Sequence, residues 1–221
     1  MPALVIFDCD GVLIDSEVIF GRVLGECLIA AEFPITMDEA MLFGLGKNHV
    51  TLAAAVAARF ERPLPDGFFE TMRARVDDAF ERELVPVPGI VELLAMLPAP
   101  RCVASNSRLP RLRQALSLTR LLPFFDPHIF SASQVTRGKP APDLFLFAAQ
   151  QFRAAPADCL VVEDSATGVE AAIAAGMPVV GFCAGSHCPG DHADRLLAAG
   201  CSRVFARTGD LAAYLCGAEC G

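Results

Sequence analysis

Positive charge is scarce in this chain: 18 lysines and arginines stand against 26 aspartates and glutamates, a formal net charge of −8 at pH 7. A protein with that balance does not grip a nucleic-acid backbone through its overall charge. Any anionic ligand must therefore meet a local cluster of positive charge or a bound cation. Tryptophan is absent and tyrosine occurs once. No apolar run is long enough to span a bilayer, which takes about 20 residues. The weakly polar stretch over 171–185 is broken by Gly176 and Pro178, and it reads as a helix end followed by a buried strand. The first residues carry no basic segment and no small-residue cleavage site, so no signal peptide is expected and a cytoplasmic location follows. Internal repeats and low-complexity tracts are also missing. The nine cysteines are odd in number and scattered. Cys9, Cys102 and Cys159 lie in or beside apolar runs, so reduced thiols acting as small hydrophobes are expected. No nucleic-acid partner and no membrane association are expected, and the chain is read as a monomer.

What the chain does have is a rhythm. With 221 residues, 53% hydrophobic and 20% charged, it can build one α/β domain with an insertion, or two small domains. Short apolar runs, Leu4-Val5-Ile6-Phe7, Arg101-Cys102-Val103-Ala104, Cys159-Leu160-Val161-Val162, Pro178-Val179-Val180-Gly181-Phe182 and Arg203-Val204-Phe205, alternate with helical patterns. Those patterns cover 108–118, 143–152, 168–175, 193–199 and 210–216. Alternation of this kind predicts a mostly parallel sheet in a three-layer α/β/α arrangement. One interval breaks it: 17–85 shows only helical patterns, at 18–31, 50–60 and 68–80. The expected organisation is an α/β core of 1–16 and 86–221, interrupted after its first strand by an all-helical insertion of 17–85.

Ligands of open α/β sheets gather beyond the carboxyl ends of the strands. Strand one delivers Asp8-Cys9-Asp10-Gly11, the next Ser105-Asn106, and the run ending at Val162 delivers Glu163-Asp164, while Lys139 lies in a loop before a helix. Each has an ordinary reading: an aspartate after a strand forms turns or caps a helix, Ser-Asn does the same, and a lysine is usually solvated. Those readings leave the convergence of four carboxylates, one lysine and a hydroxyl–amide pair at one sheet edge unexplained. Clustered carboxylates repel unless a cation lies among them, and oxygen-only ligands favour a hard ion such as Mg²⁺. A carboxylate in line with phosphorus can act as a nucleophile, and a second acid two residues on can move the proton.

Over nearly its whole length the sequence resembles the haloacid dehalogenase-like superfamily. Phe7-Asp8-Cys9-Asp10-Gly11-Val12-Leu13-Ile14-Asp15-Ser16-Glu17 is similar to the first motif of that superfamily and Ser105 to its second. Gly138-Lys139-Pro140-Ala141-Pro142-Asp143 is similar to the third and Val162-Glu163-Asp164-Ser165-Ala166-Thr167-Gly168 to the fourth. The helical insertion resembles the cap of the β-phosphoglucomutase and phosphoglycolate phosphatase-like group. The resemblance implies that Asp8 is the nucleophile and a metal ligand. Asp10 is the implied general acid and base, with its carbonyl on the metal. Ser105 and the amide of Asn106 would bind phosphoryl oxygens, and Lys139 would neutralise charge there. Asp164 would ligate Mg²⁺ directly and Glu163 directly or through water. A cis Lys139–Pro140 bond is implied as well.

The implied reaction is Mg²⁺-dependent hydrolysis of a small phosphorylated metabolite through an aspartyl phosphate. Asp10 argues against dehalogenation, since true dehalogenases lack the second aspartate of the first motif. The alternative is a sugar phosphomutase, but Phe20 stands where the resembled mutase carries a histidine, and Lys47 where it carries an arginine. Bacterial phosphatases of sugar phosphates or of sugar-acid phosphates such as 6-phosphogluconate are similar, and phosphoglycolate is another candidate. Substrate reading is expected from Gly44, Lys47 and Asn48 in the insertion, though an ordinary helix–helix turn would look the same. His187-Cys188 with Asp191-His192 has metal-ligand residue types at a spacing that matches no zinc pattern, so a surface loop is expected there. A non-catalytic phosphate-binding or signalling scaffold remains the alternative of another class.

Overall fold

The computed structural model describes residues 2–44, 49–188 and 190–217. The chain divides into two compact units, one of Met1–Asp15 with Val85–Gly221 and the other of Ser16–Leu84. After β1 (Leu4–Phe7) come α1 (Glu17–Ala30), α2 (Met37–Gly44), α3 (His49–Phe60) and α4 (Phe68–Glu83), which make up the second unit. The first unit resumes with α5 (Ile90–Met96), β2 (Arg101–Ser105), α6 (Leu109–Leu118), α7 (Leu122–Phe125) and β3 (Ile129–Ser131). It continues through α8 (Asp143–Phe152), β4 (Cys159–Glu163), α9 (Ala166–Ala174), β5 (Val179–Phe182), α10 (His192–Ala198), β6 (Val204–Phe205) and α11 (Thr208–Leu215).

The six strands form one sheet in the order β3-β2-β1-β4-β5-β6, every neighbouring pair parallel. Strands covered on both faces read as unbroken apolar runs, and β1 is buried along its whole length. Leu4, Ile6, Cys102, Ala104 and Val161 face one side, in a core completed by Leu144 and Phe145 of α8, Val169 of α9 and Leu196 of α10. Phe7 faces the other side, where its ring meets Phe125 of α7 edge-on at 6.1 Å. This is the α/β class that the alternation predicts, and the sheet is wholly parallel among the described residues. In the second unit α1 packs on α2 and α4. Arg22 of α1 pairs with Glu83 of α4 at 2.7 Å and with Glu26 at 2.8 Å. No helix among the described residues is long and apolar enough to cross a membrane.

Four elements were not anticipated: α2, α5, α7 and β3. The strand has three residues and the helices at 90–96 and 122–125 have seven and four, too few for a period to emerge. The signal for α2 was present, since Thr36 and Glu39 form a reciprocal capping box at its start.

Phe7 is fully buried in the central strand, so Phe7→Ala should destabilise the fold by about 3–5 kcal/mol. Met96, 61% exposed at the end of α5, should change stability by no more than about 0.5 kcal/mol as Met96→Ala. Urea titrations of both variants check the contrast; equal midpoints would place Phe7 outside the cooperative core.

Candidate active site

The carboxyl ends of β2, β1 and β4, three adjacent strands, carry Ser105, Asp8 and Glu163-Asp164. The amide of Asp8 donates to the Val162 carbonyl at 3.0 Å, so the residue continues the ladder and its position is set by the sheet. The chain then turns tightly, with the amides of Leu13 and Ile14 both donating to the Cys9 carbonyl, at 2.9 and 3.1 Å. Gly11 makes this turn at φ 80°, and a Cβ there would lie 2.0 Å from Asp164 Oδ2. Only glycine allows the first and fourth motifs to approach this closely.

Lys139 joins them. Its Nζ donates to Asp8 Oδ1 at 2.7 Å and to Glu163 Oε1 at 2.6 Å, and it lies 4.8 Å from the Phe145 ring centroid. Burial works against its charge, yet Asp8 and Glu163 hold the ammonium above the ordinary lysine range. The loop bearing it is fastened by Asn106, whose side chain accepts from the Lys139 amide at 2.9 Å and donates to its carbonyl at 3.1 Å. The Lys139–Pro140 peptide is cis, as the resemblance implies. Neither Ser105 nor Asn106 caps α6, so the capping reading of this pair does not apply. Ser105 Oγ instead accepts from the Ser107 amide at 3.1 Å, inside the turn that follows β2.

Glu163 is fully buried, with one oxygen on Lys139 and the other accepting from the amide and hydroxyl of Ser165 at 3.2 and 2.9 Å. Ser165 also caps α9, so the helix start and Glu163 are locked together. Asp10 is held differently: Ser107 donates to its Oδ2 at 2.7 Å, and Arg111 Nη2 lies 3.4 Å from Oδ1. The motifs did not point to Ser107 and Arg111; the signal available was their position, beside and one turn beyond the Ser105-Asn106 pair.

Electrostatically the site is unbalanced. Burial, followed by the neighbouring carboxylates, raises Asp164 well above the usual aspartate range. Burial also raises Asp8, with Lys139 opposing and Glu163 and Asp164 adding. Asp8, Glu163 and Asp164 can each offer an oxygen, all within 4.8 Å of one another. Buried hard oxygens carrying more negative charge than one lysine offsets are a donor set that fits a divalent oxygen-seeking ion.

The remaining expectations divide. Gly44 is the last residue of α2, and its missing side chain leaves room for Leu24 of α1; an added Cβ would lie 2.6 Å from Leu24 Cδ2. Its missing side chain therefore serves helix packing inside the second unit. Lys47 and Asn48 lie outside the described residues. The segment of His187, Cys188 and His192 is a surface loop, as expected, but its histidines are turned inward. The His187 side chain is 4% exposed with Nε2 at 2.9 Å from Asp164 Oδ2, and His192 Nε2 is 2.6 Å from the Asp164 carbonyl. All the described cysteines are free thiols.

These features coincide with what comparison finds. A haloacid dehalogenase-like hydrolase family model matches residues 2–176, and the chain belongs to that family. It is 33% identical to the 6-phosphogluconate phosphatase of Escherichia coli over 186 residues, 83% of each chain. It is 31% identical to the β-phosphoglucomutase of Bacillus subtilis over 191 residues, 80% of this chain and 81% of the other. The crystal structure of a haloacid dehalogenase-like protein of unknown function from Agrobacterium tumefaciens superposes with a TM-score of 0.90 at 39% identity. That match covers 98% of this chain and 99% of the other. The expected enzyme class, a phosphatase of this hydrolase family, agrees with these findings.

A raised aspartate in the folded state has a defined consequence for stability. Without metal, folded Asp164 keeps its proton at pH values where the unfolded chain, near the ordinary 3.8, has lost it. Its contribution therefore becomes more unfavourable as pH rises from there toward the raised value. Asp164→Asn should gain on the wild type, in chelator, as pH rises from about 4 to about 8. A gap in urea midpoints that stays constant across that range would contradict the assignment.

Proposed function

We propose that the chain is a Mg²⁺-dependent phosphatase of small phosphorylated sugars or sugar acids, working through an aspartyl phosphate on Asp8. The observation that carries this reading is the buried Lys139 ammonium bridging Asp8 and Glu163, with Asp164 alongside. That arrangement holds a carboxylate at a strand end in one orientation while limiting its negative charge toward an incoming phosphate.

In this reading Asp8 attacks phosphorus, forming an Asp8 O–P bond as the P–O bond to the sugar breaks. Asp10 gives its proton to the departing alkoxide. It then takes a proton from water, which attacks the aspartyl phosphate, breaks the Asp8 O–P bond and releases inorganic phosphate. Ser107 and Arg111 keep Asp10 beside the site through both steps. Ser105 and the amide of Asn106 bind the phosphoryl oxygens, and Lys139 offsets their charge. Asp8, Asp164 and the Asp10 carbonyl would hold Mg²⁺, with Glu163 joining them directly or through water while it orients Lys139. When bound, the ion supplies charge neutralisation and orientation for the phosphoryl group.

The 6-phosphogluconate phosphatase relative makes sugar-acid phosphates the first substrates to assay, with sugar phosphates and phosphoglycolate beside them. The mutase is the second reading, favoured by the similarity to a β-phosphoglucomutase. Phe20 speaks against it, because a phenyl ring cannot replace the histidine carried by the resembled mutase. The two separate in one assay: a phosphatase releases inorganic phosphate in step with substrate loss, whereas a mutase yields an isomeric phosphate.

Asp8→Asn should abolish turnover while the melting temperature shows an intact fold, and chelation should silence the wild type reversibly. Normal turnover by Asp8→Asn, free of deamidation, would sink the mechanism. Asp10→Asn should lower kcat by about 10²–10⁴-fold with little change in substrate affinity. An unchanged kcat would move the proton transfer to another group.

A further inference from the structure

The loop between β5 and α10 has no part in the chemistry above, yet it is built against the site. The Ser186 amide donates to Asp15 Oδ1 at 3.0 Å and the Ser186 hydroxyl donates to Asp15 Oδ2. The next ring, His187, sits between two glycines. A Cβ on Gly11 would lie 2.8 Å from His187 Cε1, and one on Gly185 would lie 2.8 Å from its Nδ1. The ring is therefore held in a slot that side chains on either residue would close. From that slot Nε2 reaches Asp164 Oδ2 at 2.9 Å. His192, at the start of α10, reaches the same residue from its main-chain side, 2.6 Å from the carbonyl oxygen. A carbonyl can only accept, so His192 Nε2 carries the proton; Arg195 Nη2 lies 3.4 Å from its Nδ1.

We infer that His187 and His192 are positioning residues that clamp Asp164, the first through its carboxylate and the second through its backbone. This rests on the reading of Asp164 as a metal ligand. A donor on Oδ2 fixes the plane of the carboxylate and leaves Oδ1 to turn toward a cation, while the bond to the carbonyl sets the loop that carries both. Asp164 needs such a hold because the cluster around it has one ammonium among several carboxylates, and repulsion alone would turn it away. Outer partners of metal ligands act in this way, and their loss typically costs about 10–100-fold in affinity.

A competing use of the loop exists. Cys188 Sγ lies 3.6 Å from His187 Nε2, and His187, Cys188 and His192 could together hold a soft metal. Against it, each histidine places Nε2 on Asp164, and burial pushes the Cys188 thiol up to about 12, far from a thiolate.

The test is calorimetric titration of Mg²⁺ into metal-free wild type and variants, with melting temperature as the check on folding. His187→Gln keeps an N–H near the Nε2 position, whereas the shorter His187→Asn does not. His187→Asn should weaken Mg²⁺ binding about 10–100-fold while His187→Gln stays within a few-fold of wild type. His192→Ala should weaken it in the same direction, and Cys188→Ser should leave it unchanged. Equal affinities for His187→Asn and wild type, while Asp164→Asn loses binding, would overturn the clamp alone. Unchanged binding by Asp164→Asn would overturn the ligand assignment itself and the clamp with it. Stoichiometric Zn²⁺ binding that Cys188→Ser abolishes would show the loop to be a soft-metal site, and that too would overturn the proposal.

Discussion

A single buried ammonium holds the site together. Lys47 and Lys139 are the only lysines in the chain, and Lys139 is placed where β1, β4 and the loop before α8 converge, bonded to Asp8 and Glu163. Removing one partner of a buried ion pair typically costs about 3–5 kcal/mol, because the other charge is left without compensation. Each of these elements is therefore constrained by the other two. The Asn106 bracket on the Lys139 backbone adds the turn after β2 to the same set. A site tied to three adjacent parallel strands inherits their rigidity, and phosphoryl chemistry depends chiefly on such fixed geometry.

The same ammonium explains why the acids near it fall into different environments. Glu163 is spent on Lys139 and Ser165, so it orients rather than reacts. Asp8 shares the lysine but lies directly after the carboxyl end of β1. Asp10, within the tight turn, has Ser107 and Arg111 instead. Asp164 draws on none of these donors, and burial with nearby Glu163 raises it. Four carboxylates two or fewer residues apart in pairs thus acquire distinct surroundings, and distinct surroundings are what the division of roles proposed for them requires.

Most of the fold was legible because both-face burial leaves an unmistakable trace in sequence. The five apolar runs correspond to β1, β2, β4, β5 and β6, whereas β3, with Ile129–Ser131 alone, was too short to read. The strand-end residues Asp8, Ser105, Glu163 and Asp164 were legible for the same reason, since strands announce where they stop. Lys139 was legible through its motif, and its distance from Asp8 in sequence gave no hint of the 2.7 Å contact. The parts that stayed hidden act through tertiary approach. Asn106 was expected to use its backbone amide, yet its side chain fastens another loop. The inward turn of His187 and His192 is not legible in the loop, because nothing local says that Gly11 and Gly185 leave a slot for one ring. The packing of Gly44 on Leu24 was equally hidden, because glycine looks the same in sequence whatever fills the space beside it.

Charge ties these observations together. An acidic chain can hold a phosphate monoester only where negative charge is locally reversed, and here the reversal cannot come from abundance of basic residues. Lys139 is already shared between two carboxylates, so its field is largely spent before an anion arrives. The backbone amides beyond β2 add partial charges but no net charge. In the function proposed here the clustered oxygens of Asp8, Glu163 and Asp164 would have a double effect: they oppose phosphate by themselves, and they would recruit the divalent charge that reverses the sign. Binding of ion and phosphate at one such site is mutually favourable, because each removes the repulsion the other would meet. A cluster of carboxylates hostile to an anion by itself would in this way be the condition for binding one.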